Sequence, residues 1–136
     1  MMSFGFFVGL LEGDGSIQVN QWRKRNLQYR VIIKLKYTSS NHKMLSEIRD
    51  DLGLFNVHIR HGCVLLIEDD QRKLKKLISF IDDYGGFVLT KVRKRYAFFK
   101  YALTRKIRYS EYESIKNKES WFGYLGIVPF SSDEII

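Results

Sequence analysis

The sequence predicts an α+β fold, one domain in which pairs of strands alternate with helices. Three observations predict it: apolar spacing that switches between period two and period 3.6, glycines placed where one pattern gives way to the next, and a single proline, Pro129, which leaves residues 1–110 uninterrupted. The order of elements reads helix, two strands, helix, two strands, helix, helix.

Ser3 caps a short apolar helix from Phe4 to about Glu12, stopped by Gly13 and Gly15. It is apolar nearly all round, so it must be buried or paired. A strand follows from Ser16 to Trp22, with Ile17 and Val19 on one side and Gln18, Asn20 and Trp22 on the other. Arg23 to Asn26 form a polar turn. The next strand, Leu27 to about Tyr37, places Tyr29, Val31, Ile33, Leu35 and Tyr37 inward and Gln28, Arg30, Ile32, Lys34 and Lys36 outward. Ser39 or Ser40 caps a helix carrying Met44, Leu45, Ile48 and Leu52 at helical spacing, ended by Gly53.

The second hairpin joins Asn56–Arg60 to Cys63–Glu68 through His61 and Gly62. Asp69 or Asp70 opens a helix with the stripe Leu74, Leu77, Ile78 and Ile81, closed by Gly85 and Gly86. Thr90 caps the next, from Lys91 to about Thr104, with Val92, Tyr96, Phe99 and Leu103 toward the core and Arg93, Lys94, Arg95 and Lys100 in water. Residues 1–108 read as the domain and 109–136 as a C-terminal extension: Tyr109 to Lys118 has weak helical character, and Trp121 to Ile136 is an irregular tail.

Length and composition bound the function. The 136 residues suffice for one core, and 45% hydrophobic content argues against disorder. One cysteine, Cys63, excludes an internal disulfide and Cys-rich zinc modules and fits a reducing compartment. No apolar run reaches membrane-spanning length and no basic stretch precedes the first apolar one, so a soluble protein without membrane span or signal peptide is expected. His42, His58 and His61 lack metal-ligand spacing, and no nucleophile–base pair or phosphate-cradling glycine loop is evident. The formal charge of +8 points to a polyanion, foremost nucleic acid.

Position sharpens that expectation. The outward residues Gln18, Asn20, Gln28, Arg30, Lys34 and Lys36 include no carboxylate, and His58 and Arg60 extend the same face. A two-stranded ribbon fits the major groove, where Gln and Asn pair with adenine edges and Arg or Lys with guanine. The predicted nucleic-acid face is therefore Gln18, Asn20, Trp22, Gln28, Arg30, Lys34, Lys36, His58 and Arg60. An ordinary half-exposed sheet stays open as the alternative for any single one of these residues.

The segment Phe7-Val8-Gly9-Leu10-Leu11-Glu12-Gly13-Asp14-Gly15, followed at once by an alternating strand, resembles the signature motif of the LAGLIDADG homing endonucleases. The resemblance runs from about Phe4 to Leu103. It implies an αββαββα core with a curved four-stranded antiparallel sheet, here followed by a C-terminal helix and tail. It also implies sequence-specific cleavage of duplex DNA with a divalent metal, Mg²⁺, at Asp14 with Gly13. One motif copy implies a homodimer whose motif helices pack through Phe6, Gly9 and Leu10, with Phe7 and Leu11 adding apolar area. Glu12 takes a packing or helix-end role. Lys91 is similar to the family's basic active-site residue, with Arg93 the alternative if the register slips. Where the family often places a water-positioning amide after the second strand, this chain has Thr38, Ser39 and Ser40. The second reading is a non-catalytic RNA-binding descendant, a splicing cofactor or a monomeric component of a large ribonucleoprotein such as a mitochondrial ribosome. An organellar, mitochondrial location follows from the resemblance alone.

Overall fold

A computed structural model of the chain describes residues 3–117. The expected element order is realised: α1 (Phe4–Asp14), β1 (Gly15–Trp22), β2 (Asn26–Lys36), α2 (Ser39–Leu52), β3 (Asn56–Arg60), β4 (Cys63–Glu68), α3 (Gln71–Tyr84), α4 (Thr90–Arg105), a 3₁₀ turn (Tyr109–Glu111) and α5 (Tyr112–Lys116). The strands form one antiparallel sheet in the order β1-β2-β4-β3, so β2 and β4 are central and β1 and β3 are edges. The expected irregular segment Trp121–Ile136 lies outside the described residues.

Local chemistry sets most boundaries. The Ser3 hydroxyl accepts the Phe6 N–H at 3.2 Å, and the Asp70 carboxylate accepts the Lys73 N–H at 3.1 Å. Gly53 (φ 66°) and Gly85 (φ 116°) end α2 and α3 in the left-handed region. His61 and Gly62, both at positive φ, close the β3–β4 hairpin.

Two caps differ from expectation. Thr38, not Ser39 or Ser40, starts α2, because its hydroxyl accepts the Asn41 N–H at 2.9 Å. Thr90 does not cap α4: Leu89 occupies that position without a side-chain bond, and the Thr90 hydroxyl is buried with no partner among the described residues. Tyr37 lies past the end of β2 and is exposed, so it does not extend the inward row.

The core sits between the helices and one face of the sheet. Ile17, Tyr29, Val31, Ile33, Val64 and Leu66 meet Phe7 and Leu11 of α1, Leu45 and Ile48 of α2, Leu74, Leu77 and Ile81 of α3, and Tyr96, Phe99 and Leu103 of α4. The α4 cations are not uniformly wet, since Arg93 and Lys100 are half-buried. Lys100 pairs with Asp82 at 3.1 Å and lies 4.8 Å from the Tyr96 ring. The Tyr112 hydroxyl donates to the Val19 carbonyl at 3.0 Å and its ring packs edge-on to Phe98, which fastens α5 to the body.

Glu68 is the one buried charged residue among those described. Its carboxylate accepts the N–H groups of Phe55 (2.8 Å) and Asp70 (3.2 Å), tying the α2–β3 connection to the start of α3. Phe55 adopts φ 77° there, a strained conformation that the buried acceptor helps hold.

A candidate nucleic-acid interface beside an acidic helix end

Strand register gathers the expected binding residues on the face away from the helices. Gln18 pairs with Arg30 and Asn20 with Gln28 at one end; at the other, Lys34 and His58 flank Leu65, and Lys36 and Arg60 flank Cys63. No outward position of the four strands holds a carboxylate. Trp22, Lys34, Lys36, His58 and Arg60 are exposed, while Gln18, Asn20, Gln28 and Arg30 are half-buried.

Between the two polar ends runs an apolar strip that alternation alone did not mark as special. Ile32, Ile67 and Leu65 occupy adjoining positions of β2 and β4, with Leu65 7% and Ile67 8% exposed although neither belongs to the main core. Long polar side chains flanking them keep water away.

Several polar groups are already oriented. The Asn20 amide donates to Gln18 Oε1 at 2.9 Å, and the Gln18 amide donates to Ser16 Oγ at 3.1 Å, a ladder along the outward side of β1. The buried Arg30 Nε has no acceptor among the described residues. At the β1–β2 hairpin tip, Arg23 and Lys24 both take positive φ (53° and 54°), and the Arg23 guanidinium lies 4.2 Å from the Trp22 ring.

Beside this face α1 ends. Asp14 is the last helical residue and, like Gly13, is exposed; among the described residues no hydrogen bond or ion pair engages its carboxylate. Gly15 turns the chain directly into β1, where a Cβ would stand 2.6 Å from the Leu11 carbonyl oxygen. Only glycine allows that turn, so Asp14 is pinned at the helix–strand junction.

Glu12 faces the other way. Its Oε2 accepts the N–H groups of Val88 (2.8 Å) and Leu89 (2.7 Å), the helix-end role expected of it. Lys91 lies two residues beyond Leu89, and Lys91 and Ser16 line the same groove. The end of α1 and the start of α4 thus reach one corner of the molecule.

The expected helix-packing residues divide. Phe6 is 47% exposed, and nothing lies within 4 Å of a Cβ placed at Gly9 or Gly13. Leu10 is half-buried against the core, while Phe7 and Leu11 are sealed inside it, so those two add no area for a second helix.

The profile of the LAGLIDADG endonuclease family matches residues 7–103. The chain belongs to this family. It is 38% identical over 94 residues to a probable intron-encoded endonuclease aI3 of Dictyostelium citrinum, covering 65% of this chain and 38% of that protein. Across such intron-encoded relatives the chain spans between 12% and 38% of their length. Among solved structures, the meganuclease I-CpaMI bound to uncleaved DNA superimposes with a TM-score of 0.63 at 23% identity, covering 89% of this chain and 39% of that one. The archaeal intron-encoded homing endonuclease I-Vdi141I complexed with DNA gives 0.62 at 19% identity, covering 96% and 90%. These likenesses establish the LAGLIDADG fold, the αββαββα arrangement expected of the sequence.

The donor set for a metal can be judged from the residues. Among those described, no three His, Cys, Asp or Glu side chains converge. One chain offers the Asp14 carboxylate and the adjacent backbone carbonyls of a helix C-terminus, all hard oxygen donors of the kind Mg²⁺ prefers. Among the described residues no second carboxylate joins them.

Proposed function

We propose that this chain is a site-specific DNA endonuclease of the homing type, binding duplex DNA on the outward face of its sheet and hydrolysing phosphodiesters as a homodimer. The observation that supports this most directly is the pairing of a carboxylate-free sheet face with an exposed Asp14 at its border. Gln18, Asn20, Gln28 and Arg30 present amide and guanidinium groups for base edges, and Lys34, Lys36, His58 and Arg60 supply positive charge for the backbone. Trp22 and the cationic hairpin tip extend the footprint.

Asp14, with the Gly13 carbonyl, would hold Mg²⁺, which when bound activates water and stabilises the leaving oxygen. Lys91 places a cation at the same corner, suited to neutralising the scissile phosphate. The open outer side of α1, with Phe6 exposed and Gly9 and Gly13 unobstructed, suits close approach of a second α1, which would bring the two Asp14 half-sites together. The intron-encoded relatives support a gene carried in an intron; an organellar location is part of the same proposal.

The test is cleavage of a long DNA library with Mg²⁺, wild type against Asp14→Asn, with mass measured by light scattering. Cutting at discrete sites by a wild-type dimer and by no Asp14→Asn protein is the expected result. Neither protein cutting, with both binding structured RNA, would overturn it.

A further inference from the structure

The groove that Lys91 shares with β1 extends well past Lys91. It encloses about 600 Å³ between the unpaired edge of β1 and helices α4 and α5, and Lys94, Arg95 and Lys116 continue its cationic lining. No carboxylate lines it.

Lys91, Lys94 and Arg95 stand at i, i+3 and i+4, on one side of α4. They also occupy the N-terminal part of that helix, where the peptide dipoles already concentrate positive charge, and the first turn holds no acidic residue. Among the described residues none of the three makes an ion pair or a hydrogen bond. As an isolated arrangement this is repulsive, helix against cation and cation against cation; a bound anion adds an attraction to each cation and to the helix end that offsets the repulsion. The groove's aromatic wall does not offer stacking, because Phe98 and Tyr112 are each 8% exposed and the Tyr112 hydroxyl is bonded to Val19. Gln18 and Asn20 border both the groove and the outward sheet face, so the two surfaces are continuous over the edge of β1.

We propose that this groove is a second phosphodiester-binding site, in which Lys94 and Arg95 hold backbone phosphates of the same DNA duplex that lies on the sheet. The proposal rests on the sheet reading given above and adds a track that fixes position without reading sequence.

The test is the salt dependence of binding by the full chain to a random-sequence DNA duplex of about 30 base pairs, where each neutralised phosphate contributes about 0.9 to the slope of log affinity on log salt. Lys94→Ala/Arg95→Ala is expected to flatten the slope by about 1.8 without lowering the circular dichroism melting temperature, and Lys94→Arg/Arg95→Lys to restore it. Lys34→Ala/Lys36→Ala, measured in parallel, reports the sheet. An unchanged slope in the groove variant alongside a flattened one in the sheet variant overturns the groove and leaves the sheet standing. The reverse pattern supports the groove and removes the sheet as the main contact. A flattened slope on RNA of the same sequence, with none on the DNA duplex, overturns the assignment to DNA.

Discussion

Glu12 Oε2 accepts the backbone N–H of Leu89 at 2.7 Å, a bond across 77 positions of sequence that fastens the end of the motif helix to the start of α4. The two donors it satisfies, Val88 and Leu89, are 60% and 54% exposed, while Phe87 just before them is buried in the core, so the bond secures the part of the connection that packing does not. Glu12→Ala should cost about 1.5 kcal/mol, the lower range for charged hydrogen bonds because the site is solvent-accessible, and should lower cleavage more than stability by releasing Lys91. Glu12→Gln keeps an acceptor and should recover most of both. Urea melts and cleavage rates on one preparation decide the matter; equal loss of activity in both variants would mean that the charge matters for more than anchoring.

Glu68 is 1% exposed, and its bond from the Phe55 N–H is buried while that from the Asp70 N–H is partly so. Glu68→Ala strands the Phe55 and Asp70 N–H groups and should destabilise by about 3 kcal/mol, read as a shift of the urea midpoint at constant m. A loss below about 1 kcal/mol would show that the α2–β3 connection relaxes to find other acceptors.

The β1–β2 tip sets stability against binding. Arg23 and Lys24 hold positive φ without being glycine or asparagine, at about 1 kcal/mol or more each. Lys24→Gly should therefore raise the melting temperature while weakening DNA binding through the lost charge. A lower melting temperature would mean that the side chain makes compensating contacts in solution.

Burial pushes the Tyr29 phenol from its ordinary value of 10.0 up to about 12, and burial, reinforced by the Asp82 carboxylate, raises Tyr96 further. The folded state holds these protons more tightly than the unfolded chain does. The Tyr29 contribution is complete below pH 10.0 and lost as pH rises through about 12, and that of Tyr96 persists to higher pH. Alkaline unfolding in that window should be shallower in Tyr29→Phe, followed by circular dichroism against phenolate absorbance; an unaltered profile would assign the transition to other groups.

Periodicity made the elements and the sheet's two faces legible because burial acts on side-chain direction, and direction repeats every 2 or 3.6 residues. Residue type alone could not choose among Thr38, Ser39 and Ser40 for the α2 cap, since all three offer a hydroxyl and only backbone geometry selects one. Glu68 was invisible for a related reason: its alternation marks it as inward, but the two N–H groups that justify a buried carboxylate come from residues 55 and 70. Asp14 and the outward sheet residues were legible from the motif and the strand pattern. Lys94 and Arg95 read only as wet helix positions, because the groove they line exists only once β1 and α5 pack beside α4.

The paired Ile32 and Ile67 lie between the row of Gln18 and Arg30 and the row in which Lys34 and His58 flank Leu65. Arg30 and Lys34 are four residues apart on one strand, about 13 Å along it, beyond the range at which substitutions ordinarily couple. In the proposed DNA complex, substitutions at Gln18, Asn20, Gln28 and Arg30 would accordingly change base preference while the phosphate contacts of Lys34, Lys36, His58 and Arg60 stay intact, so recognition can be redesigned at one end of the sheet alone.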